Sequence, residues 1–365
     1  MSAIIKPTDS IAMIRRKVSS GGEIEFKKGT YKITSQIIVP SNTIIYGNNS
    51  RLQRFSSIQS ILMNVNKAGD KGFGTSKNIV IYDLEFEGIE KVNGTLLSGD
   101  NLVSWWKLSQ LIMKNCTFID SQLYHHMELT AVKNAQIINC KFLGNRTGDN
   151  YRESVQIGFS SASEIYNHVK GSAIYDLQCS ENLTFDGCTW DHSKTRTAQP
   201  VCIGMHSQPA TSSVFKNITV KNSTMKGLTK YPNSPAMRFI GVENLNISNN
   251  VIDGFGRGVE IRNIELSKNA NGDKVETKSN YGLSKNVLIE NNTIKNASGM
   301  NKATGIYILS KTDAAHNNII IKNNRFIENQ NNPNELYYMW VEDIDNLTDM
   351  NNEHGALKIY KNNVN

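Results

Sequence analysis

A short block that recurs along the chain with small variations and unequal spacing restricts the fold more than any other feature. It reads "IYDLEF" (Ile81 to Phe86), "MKNCTF" (Met113 to Phe118), "IINCKF" (Ile137 to Phe142) and "FDGCTW" (Phe185 to Trp190). It returns as "VKNSTM" (Val220 to Met225), "ISNNVI" (Ile247 to Ile252), "IENNTI" (Ile289 to Ile294), "IKNNRF" (Ile321 to Phe326) and a final "YKNNVN". The third position is Asp83, Asn115, Asn139, Gly187, Asn222, Asn249, Asn291, Asn323 and Asn362 in turn. The step varies from 24 residues (Asn115 to Asn139) to 48 (Asn139 to Gly187), which excludes the fixed-period helical solenoids. Short β-rich runs separated by Asn, Gly and Ser fit a coil of strands whose turns stack on one another, with the surplus length in loops. Asn tolerates a left-handed corner and can bond to the Asn above and below, so the third position is expected to form a side-chain ladder. Cys116, Cys140 and Cys188 take the next position, followed by Ser223, Asn250, Asn292 and Asn324, and read as small side chains stacked in the turn. Five cysteines, an odd number without CxxC spacing, argue against a disulfide framework or a metal site.

The segment "GGEIEFKKGTYKITSQIIVPSNTIIYGNNSRL" (Gly21 to Leu52) resembles the first turns of the pectate-lyase-like proteins. The resemblance implies an all-β, single-stranded right-handed parallel β-helix with a short N-terminal capping helix. The stretch "DSIAMIRRKV" (Asp9 to Val18) supplies that helix, with Asp9 or Ser10 as N-cap and Ile11, Ile14 and Val18 on one face. Residues 1–20 are then the cap and residues 21–365 one β-helix domain. The pattern covers nearly the whole chain, and it specifies fold better than activity.

The chain is 39% hydrophobic and 20% charged, and no apolar run approaches the roughly 18 residues of a membrane span. A net charge of +7 suits an anionic partner. The basic residues are scattered, so an acidic polysaccharide fits better than nucleic acid, and no membrane partner is expected. The N-terminus shows no secretory signal. An extracellular or virion-associated location would then rest either on another export route, such as release with a phage particle, or on a signal already removed from this chain. By resemblance to viral β-helix depolymerases a homotrimer is a further expectation, and the final "YKNNVN" turn needs a cover against edge pairing.

Each turn also carries a strand that precedes the block and varies more: "HHMELTA" (His125 to Ala131), "SVQIGFS" (Ser154 to Ser160), "VCIGMHS" (Val201 to Ser207), "AMRFIGV" (Ala236 to Val242), "GVEIRNI" (Gly258 to Ile264) and "GIYILSK" (Gly305 to Lys311). Strand alternation sends their apolar residues inward. His126, Glu128, Gln156, His206, Arg238, Glu260, Arg262 and Tyr307 are left outside. With turns about 4.8 Å apart, Glu128, Gln156, His206, Arg238 and Glu260 are expected to line one stripe. The loop "GNRTGDNYRES" (Gly144 to Ser154) adds Asp149 and Glu153.

Segments shaped like "HHMEL…NYRESVQIG…IGMHS" resemble Gram-positive bacterial and phage β-helix proteins that act on polysaccharides. The resemblance implies site roles for His126, Glu128, Glu153, Gln156, His206 and Arg238. That group usually carries an acidic residue two positions after its Gln, and this chain has Gly158 there. Glycoside hydrolysis needs two carboxylates across the scissile bond. Glu128 and Glu153 are the expected pair, with His206 and Arg238 orienting or neutralising substrate and with Asp149 and Glu260 in reserve. A polysaccharide lyase would instead use His126 or His206 as base, with Arg238 and Arg262 neutralising a uronate. A non-catalytic carbohydrate-binding or adhesin domain is the third expectation. In "NLVSWWKL" (Asn101 to Leu108), Trp106 falls outward beside Glu128 and reads as a sugar-stacking platform, while Trp105 falls inward. No calcium cluster, other metal site or cofactor motif is present. The "N-x-S/T" triplets coincide with the Asn blocks and carry no separate meaning.

Overall fold

A computed structural model describes residues 2–64, 69–99, 101–121, 124–145, 152–163, 174–197, 200–227, 234–278, 280–295, 303–312, 314–327 and 336–364. Asp149 lies outside the described residues. Each turn of the coil has three strands. One turn runs Met127–Thr130, Lys133–Ile138 and Lys141–Asn145, and the next Glu153–Gly158, Glu181–Asp186 and Thr189–Asp191. All three pair parallel and in register, Glu128 with Gln156, Ile137 with Phe185 and Phe142 with Trp190. Ala131 and Val132 alone separate the first two strands of one turn, whereas residues 159–180 do so in the next. That insertion accounts for the long step of the repeat.

The interior is filled by the inward residues of successive strands. Phe86, Phe118, Phe142 and Trp190 stack along the axis with centroids 5.1, 4.9 and 4.9 Å apart and planes within 11°. Met127, Leu129, Val155, Ile157, Val201, Ile203, Met205, Met237, Phe239, Val259, Ile261, Ile306 and Ile308 are fully buried, as alternation requires. The cysteines are free and buried.

The block marks a corner. Asn115, Asn139, Gly187, Asn222, Asn249, Asn291 and Asn323 all have φ between 52° and 65°, a left-handed conformation that Asn and Gly adopt at least cost. The longest amide ladders stand elsewhere. At the preceding corner, Asn182, Asn217, Asn244, Asn286 and Asn318 each donate to the Asn one turn before, at 2.7–3.0 Å. Inside the coil, Asn250, Asn292, Asn324 and Asn352 form a second ladder, each donating to the next at 2.9–3.0 Å. The expected ladder at the third position is present in part, where Asn115 donates to Asp83 at 2.9 Å; the third-position residues chiefly turn the backbone, and the longer ladders run through neighbouring positions.

The helix Ile11–Ser19 closes the first turn. Ser10 caps it by accepting from the Met13 amide at 3.3 Å, and Ile14 and Val18 are buried against the coil. Ahead of it, the strand Ala3–Ile5 pairs with Ile24, Glu25 and Phe26. Among the described residues no helix is long and apolar enough to cross a membrane.

Candidate functional site

Register places the outward residues of the variable strands in one row. Ser104 pairs with Glu128, Glu128 with Gln156, Gln156 with Gly204, Gly204 with Arg238, Arg238 with Glu260, and Glu260 with Tyr307. The rung expected to carry His206 therefore carries Gly204. The strand Val201–Gly204 ends there, and His206 lies two residues beyond it with 40% of its side chain exposed.

Gly204 leaves a gap that Glu153 fills. A Cβ built on Gly204 would lie 2.5 Å from Glu153 Cγ, so the Glu153 side chain crosses from its own turn onto the next rung, between Gln156 and Arg238. Its Oε2 stands 3.9 Å from His206 Nδ1. Burial pushes the Glu153 carboxyl up, but the bond to His206 and the charges of His206 and Arg238 outweigh that and hold it below its ordinary range. It is an ionised group, not a proton donor, at neutral pH.

Glu128 is 4% exposed. Its Oε2 accepts from Asn101 Nδ2 at 2.7 Å and its Oε1 from the Thr130 hydroxyl at 3.2 Å. Glu260 is fully buried beneath three guanidinium groups: Arg238 Nε at 2.8 Å, Arg257 Nη1 at 2.5 Å and Arg262 Nε at 3.2 Å. Burial raises its carboxyl, and Arg238, Arg262 and Arg257 bring it below the usual range. One carboxylate among three cations leaves a surplus of positive charge. Burial depresses Arg262, and repulsion from Arg238 and Arg257 adds to the effect. The guanidinium of Arg257 also covers the Tyr307 ring at 3.9 Å.

Two expectations are corrected. Trp106 is outward, paired with Thr130, but it is completely buried. It packs against Met63 and Tyr175, under a loop fastened by Lys107 Nζ to Asp176 at 2.9 Å, and offers no ring face to a sugar. His126 does not stand on the outer face. Its Nδ1 meets Ser154 Oγ at 2.8 Å, its Nε2 meets the Leu143 carbonyl at 3.3 Å, and its ring lies edge-on to interior Phe142. Burial lowers its pKa to about 4. The reason is the corner before Met127, where strict alternation has not begun. His125 stands on the site side instead, with Nδ1 at 2.6 Å from the Glu153 carbonyl. Neither His125 nor Asn101 is marked in the sequence as part of a site, because strand periodicity gives no signal at a corner.

The arrangement thus joins Glu128, Gln156, Glu153, Arg238 and Glu260 along the axis, with His206, Arg262, Arg257 and Tyr307 more open to solvent. No protein-family model matches the chain, and no curated protein matches it. Among solved structures it is similar to PfbA, a surface protein and adhesin of Streptococcus pneumoniae, at 18% identity over 98% of this chain and 96% of that one (TM-score 0.63). It is similar to an alginate lyase from Paenibacillus sp. at 10% identity, over 100% and 99% of the chains (TM-score 0.57). A family 28 exopolygalacturonase of Yersinia enterocolitica is similar at 13% identity, over 100% and 78% (TM-score 0.58). At these identities the likeness shows a fold shared by polysaccharide-degrading enzymes and an adhesin.

Proposed function

On a pectate-lyase-like parallel β-helix, we propose that the row from Glu128 to Tyr307 binds an anionic polysaccharide outside the cell or on a virion, and cleaves it by β-elimination. The observation that carries this reading is the Glu153 carboxylate seated on Gly204, beside exposed His206 and next to Arg238. His206 takes the proton α to a uronate carboxylate, an unsaturated ring forms as the glycosidic C–O bond breaks, and the imidazolium returns the proton to the departing oxygen. The cationic cluster, through Arg262 and Arg238, stabilises charge on the uronate as that proton leaves. Hydrolysis by Glu128 and Glu153 is less well supported. Glu153 is held ionised and Glu128 is occupied by Asn101 and Thr130, so neither is set up as the acid that glycoside cleavage requires.

A non-catalytic binding module is the second reading. It is favoured by the internal pairing of Glu128 and Glu260, and by PfbA being described as an adhesin. Incubation with polyuronates decides among the three. Products absorbing at the ultraviolet edge, lost in His206→Ala, support elimination. New reducing ends without that absorbance indicate hydrolysis. Binding that survives Glu128→Gln and Glu153→Gln, with no cleavage of any glycan, indicates the module.

A further inference from the structure

Asn101 and His125 have no part in the chemistry just described, yet they join the carboxylates of the site in one chain of contacts. Asn101 Nδ2 donates to Glu128 Oε2 at 2.7 Å, and Asn101 Oδ1 accepts from the His125 backbone N–H at 3.1 Å. His125 Nδ1 lies 2.6 Å from the Glu153 carbonyl oxygen, and Glu153 Oε2 is 3.9 Å from His206 Nδ1. Asn101 and His125 are 3% and 6% exposed. A carbonyl oxygen only accepts, so the proton of this imidazole sits on Nδ1. Burial disfavours the charged ring against the pull of Glu153 and keeps His125 neutral. Backbone bonds stack the same corner turn on turn, with Leu102 N donating to the His125 carbonyl and His126 N to that of Ser154.

We infer that His125 is a positioning residue: its Nδ1–H fixes the corner from which the Glu153 side chain reaches over Gly204 to His206, and Asn101 ties that corner to Glu128. The inference rests on the reading of His206 as the base. Its physical content is placement. Glu153 reaches His206 from the neighbouring turn, so a small shift of the corner changes their separation, and a displacement of about 1 Å costs on the order of 100-fold in rate.

The test uses the full chain and two readouts. His125→Asn keeps an N–H donor near the Nδ1 position, His125→Gln moves it outward, and His125→Ala removes it. With a polyuronate as substrate, His125→Ala and His125→Gln are expected to lower kcat on the order of 10- to 100-fold with little change in KM, and His125→Asn to recover most of the rate. The second readout is the NMR titration of His206. It should move in His125→Ala and His125→Gln, and return toward the wild-type value in His125→Asn. Asparagine failing as badly as alanine, with the His206 titration unchanged throughout, would overturn the positioning role and make His125 itself a proton carrier. Should the wild-type protein cleave no polyuronate, the reading of function fails, and the titration still decides: an unmoved His206 sinks the inference and a moved one upholds it. If His125→Ala does not fold, the comparison of glutamine with asparagine carries both readouts.

Discussion

At the scale of single residues, Gly204 determines what the middle of the row can contain. Any side chain there would occupy the space of the Glu153 methylene, since a Cβ would approach Cγ to 2.5 Å. Gly204→Ala is therefore expected to displace the Glu153 carboxylate from His206, to lower cleavage on the order of 100-fold and to leave the fold intact. A variant that cleaves at the wild-type rate would remove Glu153 from the mechanism. Glu260 is a different case, because its work is to hold three cations together. Glu260→Gln leaves Arg238, Arg257 and Arg262 facing a neutral amide in a buried place, which should destabilise the protein by about 3–5 kcal/mol in urea unfolding. Of the row, Glu128, Gln156, Arg238, Glu260 and Tyr307 were legible in the sequence, because alternation along a strand is a local rule. Gly204 falls outward by the same rule, but the filling of its rung by Glu153 was not legible, because that side chain arrives from another turn. The covering of Trp106 was equally illegible, depending as it does on Tyr175 and on the Lys107–Asp176 clip.

At the scale of strands and corners, the chain uses Asn for two purposes that look alike in sequence. In "ENN" at Glu290 to Asn292, Asn291 turns the corner with φ of 56°, while Asn292 points inward. Asn292 Oδ1 accepts from the Asn250 amide N–H and Nδ2 at 3.0 Å each, and Asn292 Nδ2 donates to the Ile247 carbonyl and to Asn324 Oδ1 at 2.9 Å. Truncation at this position strands buried partners on both sides, so Asn292→Ala should cost roughly 2–4 kcal/mol. Asn182 bonds to Asn134 and Asn217 at the solvent-facing corner, where water can take over the lost bonds, and Asn182→Ala should cost only about 1 kcal/mol. Denaturant midpoints of the two variants test the contrast, and equal losses would refute a distinction between inner and outer ladders. The repeat announced the corners plainly, since it keeps one residue type where the backbone must turn. It could not say which neighbour faces inward, because that depends on where each strand begins relative to its corner.

At the scale of the whole molecule, stability should depend on pH through buried histidines. His126 and His316 are both fully enclosed, and burial lowers each to about 4 against an ordinary value near 6.5. The Ser284 amide donates to His316 Nδ1 at 3.0 Å and the other ring nitrogen meets the Leu309 carbonyl at 3.1 Å, so the ring is held neutral. A depressed folded pKa means that the unfolded chain takes up these protons first. The contribution is intact above about pH 6.5 and is lost as pH falls toward 4, at roughly 3 kcal/mol for each histidine over the full range. Glu153 and Glu260, which are lowered as well, add a further loss below the ordinary carboxylate range. Because each turn of a coil contacts chiefly its neighbours, the two histidines should open different parts of the molecule. Proton uptake at His126 loosens the turns that carry Glu128 and Glu153, and uptake at His316 loosens those around Ser284 and Leu309. Hydrogen exchange at pH 7 and pH 5 should thus show lost protection centred on these two places, with the turns around Met225 and Ile252 retained longer. Uniform loss along the coil would mean that it unfolds as one cooperative unit, and no change in the urea midpoint between pH 7 and pH 5 would mean that the buried imidazoles do not control acid stability.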